Sequence, residues 1–216
     1  MEKLNLEAVF DFKDISPKAQ QHLSKVYGTL AMTLGACTTG VIIAPKLTYN
    51  FFIQLIAIVV QIYLVYQIHS AKKNTTKLYA LMAIGFMTGM FMKPLVSYAI
   101  ELDPAILINA IIITTSLFGA LSLVALKVKQ RSLLFLGGIA SSILLWVSIA
   151  SLLGWLFGFS VLSYMQYNVL MIGVFAMFTI YDTQLIIAKY EHGDTNHFSH
   201  ALELFVDFIR LFIHIL

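Results

Sequence analysis

The sequence predicts an all-α integral membrane protein built from seven apolar helices. Three observations carry that prediction. Apolar residues make up 59% of the chain and charged residues 12%, with a mean hydropathy of +0.85, where soluble domains run at about 45–50% and about 25%. The apolar residues gather into runs, most of them near the roughly 20 residues that a helix needs to cross a bilayer. The lysines and arginines fall almost entirely between the runs, in alternate gaps. At 216 residues, the chain is read as a polar segment, 1–25, followed by one helical bundle, 26–216.

The first 25 residues carry Glu2, Lys3, Glu7, Asp11, Lys13, Asp14, Lys18 and Lys25. They lack the short apolar core and small-residue cleavage site of a signal peptide, so the first span is expected to direct insertion. The apolar runs fall at 26–44, 50–69, 78–100, 105–126, 133–157, 161–188 and 199–216. Pro45-Lys46 ends the first, and the polar stretch from Ser70 to Lys77 ends the second. Glu101-Leu102-Asp103-Pro104 ends the third, and Lys127-Val128-Lys129-Gln130-Arg131 the fourth. Gly158-Phe159-Ser160 separates the fifth from the sixth, and Lys189 to Asn196 separates the sixth from the seventh. The N-terminal segment and the even-numbered gaps hold eleven Lys and Arg, and the odd-numbered gaps hold only Lys46. By the positive-inside rule the N-terminus and the even-numbered gaps are cytosolic. Whether the last run crosses fully or re-enters on the same side stays open.

Several classes are excluded or disfavoured. The net charge of +3 is small and its lysines form no continuous basic patch, so no nucleic-acid partner is expected. The single cysteine, Cys37, permits no intrachain disulfide and no thiolate metal centre. The histidines (His22, His69, His192, His197, His200 and His214) include no His-Glu-x-x-His, and Gly-x-Ser-x-Gly is absent. An intramembrane aspartyl protease places Gly-x-Gly-Asp at its second aspartate. Here the corresponding residues are Leu204-Phe205-Val206-Asp207, so an enzyme is not expected.

Small residues thin two faces: Gly85 with Gly89, and Gly137-Gly138 with Ala140, Ser141 and Ser142. Such faces let helices approach closely in lipid. Pro94 is expected to kink the third helix, and Lys93 to snorkel toward the non-cytosolic face.

The chemistry is concentrated at the C-terminus. Glu203, Asp207, Arg210 and His214 follow one another at spacings of 4, 3 and 4, which puts them on one helix face. Asp182 lies in the preceding run. Asp182 and Asp207 are nearly equidistant from the intervening loop, so an antiparallel hairpin sets both at ~10–12 Å below its end. Two facing carboxyls at that depth cannot both be charged cheaply and are expected to share one proton. The pair then acts as a proton-sensitive latch or a transient cation site. The plainer alternative is a structural hydrogen bond, or an Asp207–Arg210 ion pair that only helps packing. Glu203 extends the carboxylate path toward solvent or is simply solvated. Arg210 is in reach of either aspartate, and His214 is read as a packing residue. An all-oxygen set of Asp182, Asp207 and Glu203 suits a hard cation, with Ca²⁺ the natural one. No bound cofactor is expected.

With these residues in place, the chain resembles the Bax inhibitor-1 branch of the transmembrane BAX inhibitor motif family. The resemblance rests on Tyr181-Asp182-Thr183-Gln184-Leu185-Ile186-Ile187, Glu191-His192-Gly193-Asp194 and Leu204-Phe205-Val206-Asp207-Phe208-Ile209. Ile15-Ser16-Pro17, Gln20-Gln21-His22-Leu23, Lys25-Val26-Tyr27, Pro104-Ala105-Ile106-Leu107 and the stretch from Arg131 to Gly138 support it. The resemblance implies a seven-helix transmembrane bundle whose C-terminal helix is central, wrapped by the other six. It implies a multi-pass protein of the endoplasmic reticulum membrane that leaks Ca²⁺ in a pH-sensitive way, lowers luminal Ca²⁺ and suppresses apoptosis. It assigns the proton-sensing pair to Asp182 and Asp207. Implied partners are the lipid bilayer, Ca²⁺, anti-apoptotic membrane proteins and Ca²⁺-release channels. The other functional reading is a non-conducting membrane protein that regulates such partners by binding them. Two departures stand out. Ser97 replaces a glutamate that related chains often carry after the third-helix proline, and the lysine-rich tail of eukaryotic members does not follow Leu216.

Overall fold

The computed structural model describes residues 15–43, 51–128 and 132–216. Pro45-Lys46, most of the N-terminal segment and the residues Lys129, Gln130 and Arg131 lie outside the described residues. Among those described there are seven helices and no strand: α1 (Pro17–Ile43), α2 (Phe51–Ser70), α3 (Asn74–Leu102), α4 (Pro104–Lys127), α5 (Phe135–Phe157), α6 (Tyr164–Glu191) and α7 (His197–Ile215). The first six are long and apolar enough to cross a membrane. The seventh carries Glu203, Asp207 and Arg210 and is not among them.

The helix ends follow from local chemistry. Asp103 accepts the Ala105 N–H at 2.8 Å, and Pro104 opens α4 where no N–H is needed. Ser163 and Gln166 form a capping box at the start of α6. Gly158 ends α5 at φ 72° and Gly193 turns the chain after α6 at φ 96°, a region that only glycine enters without strain. Pro94 does not break α3, which runs from Asn74 to Leu102 as one element.

One boundary differs from the sequence reading. The first helix begins at Pro17, well ahead of the apolar run that starts near residue 26. Ile15, Ala19, His22 and Leu23 are buried. This polar-looking stretch packs into the bundle because its apolar residues face inward at helical spacing.

The C-terminal helix is the centre of the bundle. It packs along α6, α1 and α4 and touches α3 and α2. Most of it is buried, including Phe205, Leu204 and Leu211. The wrap is less complete than six helices, because among the described residues α5 packs on α6 alone. Much of α2 and α5 is exposed and apolar, with Phe52, Ile56, Val59, Ile62, Leu152 and Trp155 outward. In a membrane protein that surface faces lipid, where exposed apolar side chains cost nothing.

The tightest packing is between α1 and α3, and glycine makes it so. A Cβ at Gly40 would run into the Phe86 backbone, one at Gly85 into Thr33, and one at Gly89 into the carbonyl of Cys37. The small face at Gly85 and Gly89 is therefore used within the chain. Gly137 lies under the Tyr181 ring, which joins α5 to α6, whereas Gly138 faces open space.

Gly89→Ala is expected to cost about 1–3 kcal/mol through backbone overpacking, seen as a lower thermal midpoint in detergent. Gly138→Ala is expected to leave that midpoint nearly unchanged; equal losses in both variants would refute the close-approach account.

Candidate functional site

The α6–α7 turn is short and well bonded. Asp194 N donates to the Lys189 carbonyl at 3.0 Å and Gly193 N to that of Tyr190 at 3.0 Å. Asp194 Oδ1 accepts the Asn196 N–H at 2.9 Å. Burial pushes the Asp194 carboxyl up, but the Asn196 N–H and the neighbouring His200 outweigh it and hold the group below the usual carboxylate range. A turn this constrained fixes the register of the two helices, and the register decides which polar groups meet.

Asp182 and Asp207 meet. Their carboxyls approach each other across the α6–α7 seam. Ionised carboxylates only accept, so a direct bond between the two would need a proton on one of them. Asp207 is 3% exposed and its Oδ2 has no hydrogen-bond partner, while Asp182 is half-buried. The charged groups that act on the pair are Glu203, Lys189 and Arg210.

Glu203 and Arg210 flank the pair on opposite sides. Glu203 sits toward the turn and is bonded to Lys189, with Nζ and Oε1 2.7 Å apart and both side chains about one-third exposed. It is therefore a paired carboxylate rather than a separately solvated one. Arg210 lies on the other side and is exposed. Its guanidinium stands over the Phe175 ring, 5.3 Å from the centroid, and among the described residues it makes no ion pair with either aspartate. The expected partnership is a long-range one, because the side chain leaves the seam to rest its cation on an aromatic face. His214, deeper still, bonds the Asn168 side chain at 2.8 Å and stacks on Phe175 at 5.4 Å. That is the packing role expected of it.

The sequence reading missed three groups. Lys189 was taken only as a boundary marker, although it is placed across the turn from Glu203 by the same symmetry that pairs the aspartates. Gln184 is 2% exposed. It donates to the Ala125 carbonyl at 3.2 Å and accepts the Leu133 N–H at 3.0 Å, bracing the end of α4 and the approach to α5 against α6. A buried amide in an apolar run was the available signal. His22 and His200 face each other, Nε2 to Nδ1, at 2.9 Å. Tyr190 stacks on His22 at 4.4 Å, and His200 Nε2 lies 3.5 Å from Asp194 Oδ2. Nothing in the sequence announces a contact between residues 178 positions apart.

Among the described residues no group of three or more His, Cys, Asp or Glu is placed to hold a metal ion.

A helical bundle of membrane-spanning length, closed around a last helix whose buried aspartate meets another on its neighbour, defines a multi-pass membrane protein. The family model described as "Inhibitor of apoptosis-promoting Bax1" matches residues 19–216. The chain is 36% identical over 215 residues to Bax inhibitor 1 of Homo sapiens, covering 97% of this chain and 90% of that one. It is 32% identical over 213 residues to Bax inhibitor 1 of Oryza sativa subsp. japonica, covering 97% and 84%. For Bax inhibitor 1 of Drosophila melanogaster the figures are 35% over 208 residues, 93% and 82%. The chain belongs to the Bax inhibitor-1 family.

Gln184→Leu removes both braces and leaves the Ala125 carbonyl and Leu133 N–H unpaired, at about 1–3 kcal/mol for each buried group left so. The expected result is a clear fall in thermal midpoint, with faster hydrogen exchange at Leu133. An unchanged midpoint and exchange rate would show that the amide braces nothing.

Proposed function

We propose that the protein is a pH-sensitive Ca²⁺ leak pathway of the endoplasmic reticulum membrane, gated by the protonation state of Asp182 and Asp207. In this reading its leak lowers luminal Ca²⁺ and suppresses apoptosis, in keeping with the printed names of its relatives. The observation that carries it is the approach of two carboxyls inside the bundle, Asp182 of α6 and Asp207 of the central helix, the latter only 3% exposed. The distribution of Lys and Arg supports a cytosolic N-terminus.

The mechanism follows from the arrangement. While one proton is shared, the bond ties α7 to α6. When it is lost, two carboxylates face each other; unit charges ~4 Å apart repel by ~4 kcal/mol at an effective dielectric of 20. Two things relieve that repulsion. The helices move apart, or a cation enters and takes the oxygens. Lys189 and Glu203 neutralise each other at the turn end, so the pair is left as the net charge of the seam. Arg210, exposed one turn deeper, favours the ionised state at longer range. Ca²⁺ is cargo here rather than a resident ion, and no enzymatic step is assigned.

The alternative, a non-conducting membrane protein that regulates anti-apoptotic proteins or Ca²⁺-release channels, drew on small-residue helix faces. Gly85 and Gly89 are spent on α1, which removes much of that support.

Purified protein in liposomes tests the proposal. Ca²⁺ flux is expected to vary with pH in the wild type, and Asp207→Asn, which keeps the shape and a donor but abolishes charging at that site, is expected to flatten the profile. A wild type that passes no Ca²⁺ at any pH would sink the leak, and an unchanged profile in Asp207→Asn would sink the latch.

A further inference from the structure

The first turn of α7 is fastened to α1 by two histidines. His22 Nε2 and His200 Nδ1 stand 2.9 Å apart, with His200 fully buried and His22 6% exposed. The rings cross at 80°, and Tyr190 of α6 stacks on His22 with centroids 4.4 Å apart. Two rings held this closely need one N–H and one bare nitrogen between them. Asp194 decides which is which. Its Oδ2 lies 3.5 Å from His200 Nε2, a nitrogen that is buried and has no hydrogen-bond partner. A carboxylate facing a bare nitrogen would meet only lone pairs, so His200 carries its proton on Nε2. His200 Nδ1 is then the acceptor, and His22 Nε2 donates to it.

The charged and titratable neighbours of the pair are Lys25 on α1, Lys189 on α6, Asp194 in the turn and His197 on α7. Lys77 of α3 acts on His197 in turn. Lys189 is engaged with Glu203 at 2.7 Å, and His69 of α2 with Ser199 Oγ at 2.9 Å. Lys25 and Lys77 oppose any further positive charge. Asp194 favours it, but its Oδ1 is already engaged by the Asn196 N–H at 2.9 Å.

Proton counting gives the bond a direction. Closed, the pair takes up one extra proton at most, because two imidazolium rings present only donors to each other. Opened, each ring takes up its own proton in the ordinary histidine range, about pH 6.5. The opened form therefore binds more protons. As pH falls through that range the equilibrium moves toward it, by up to about tenfold per pH unit for each extra proton. Above that range both rings are neutral and the fastening is at full strength. The aspartate seam has the opposite sign, since like charges face each other there only as pH rises.

We infer that the His22–His200 pair is an acid-released fastening of the central helix to α1, set at the α6–α7 turn end of the bundle. It goes beyond the leak reading, because it concerns how α7 is held and not what passes beside it.

The test follows amide hydrogen exchange in the full chain in lipid nanodiscs, with the intrinsic pH dependence of exchange divided out. Between about pH 7.5 and about pH 5.5, a span that brackets ordinary histidine titration, exchange at residues 197–201 is expected to rise about tenfold or more. Exchange around Gly85 and Gly89 of α3 is expected to stay level. His22→Gln is expected to flatten the rise, because glutamine offers an N–H or a carbonyl and so pairs with either protonation state of His200. His200→Asn makes the same change from α7 and serves if His22→Gln does not fold. His197→Gln and His69→Gln are expected to keep the rise. A wild type whose first turn of α7 exchanges alike at both pH values would overturn the fastening. So would a rise that survives both His22→Gln and His200→Asn, or one that His197→Gln or His69→Gln abolishes.

Discussion

The register of the α6–α7 hairpin is the constraint on which the rest of the site depends. A turn from His192 to Asn196, closed by hydrogen bonds from Gly193 and Asp194 back to Tyr190 and Lys189, leaves little freedom to slide one helix past the other. Side chains equidistant from the turn then face each other whether or not they suit one another. Lys189 and Glu203 are opposite charges and form an ion pair. Asp182 and Asp207 are like groups, and their meeting is tolerable only with a proton between them. Slipping the register by one residue would rotate Asp207 off the seam by about 100° and strand a carboxyl in an apolar bundle.

Depth then sorts the chemistry. Near the turn, where both side chains keep about a third of their surface, an ion pair is cheap to maintain. Farther in, the polar groups answer one another rather than solvent: the two aspartates across the seam, then a histidine bonded to Asn168. Arg210 breaks the sequence and resolves its own cost by staying exposed, with its cation over the Phe175 ring. Charge inside a membrane protein is affordable where it is paired, shared or solvated, and the stripe on α7 uses each of these in turn.

Much of this was legible in the sequence because hydropathy is a local signal. The six long helices and the breaks at Asp103-Pro104 and Gly158 are read from neighbours in the chain. The aspartate pair was legible for a related reason, since a short loop turns equal distance along the chain into equal depth. What stayed hidden depends on tertiary placement. The early start of α1 was masked because Gln20, Gln21, His22 and Lys25 dilute the apolar pattern, and His22 makes sense only once His200 is beside it. The long-range standing of Arg210 was equally hidden, because spacing along a helix fixes a face and not the rotamer of a long side chain. Gln184 was visible as an anomaly, but its two backbone partners lie on a different helix and a connecting segment.

The contrast between the shell and its core bears on which part can move. α1 and α3 approach until glycine is the only residue that fits at Gly40, Gly85 and Gly89, and backbone-to-backbone packing of that kind has no slack. α7 is held differently, by side-chain contacts, among them the meeting of Asp207 with Asp182, and by the His22–His200 bond at its first turn. Its polar stripe makes it a poor membrane span alone, so it needs the surrounding helices. Those helices do not need it in the same way, since α1 with α3, α3 with α4, α4 with α6 and α1 with α6 contact one another directly. A wall packed backbone to backbone around a core held by side chains leaves the central helix as the element with the most freedom to shift, and Asp182 and Asp207 lie at the seam where such a shift would be felt first.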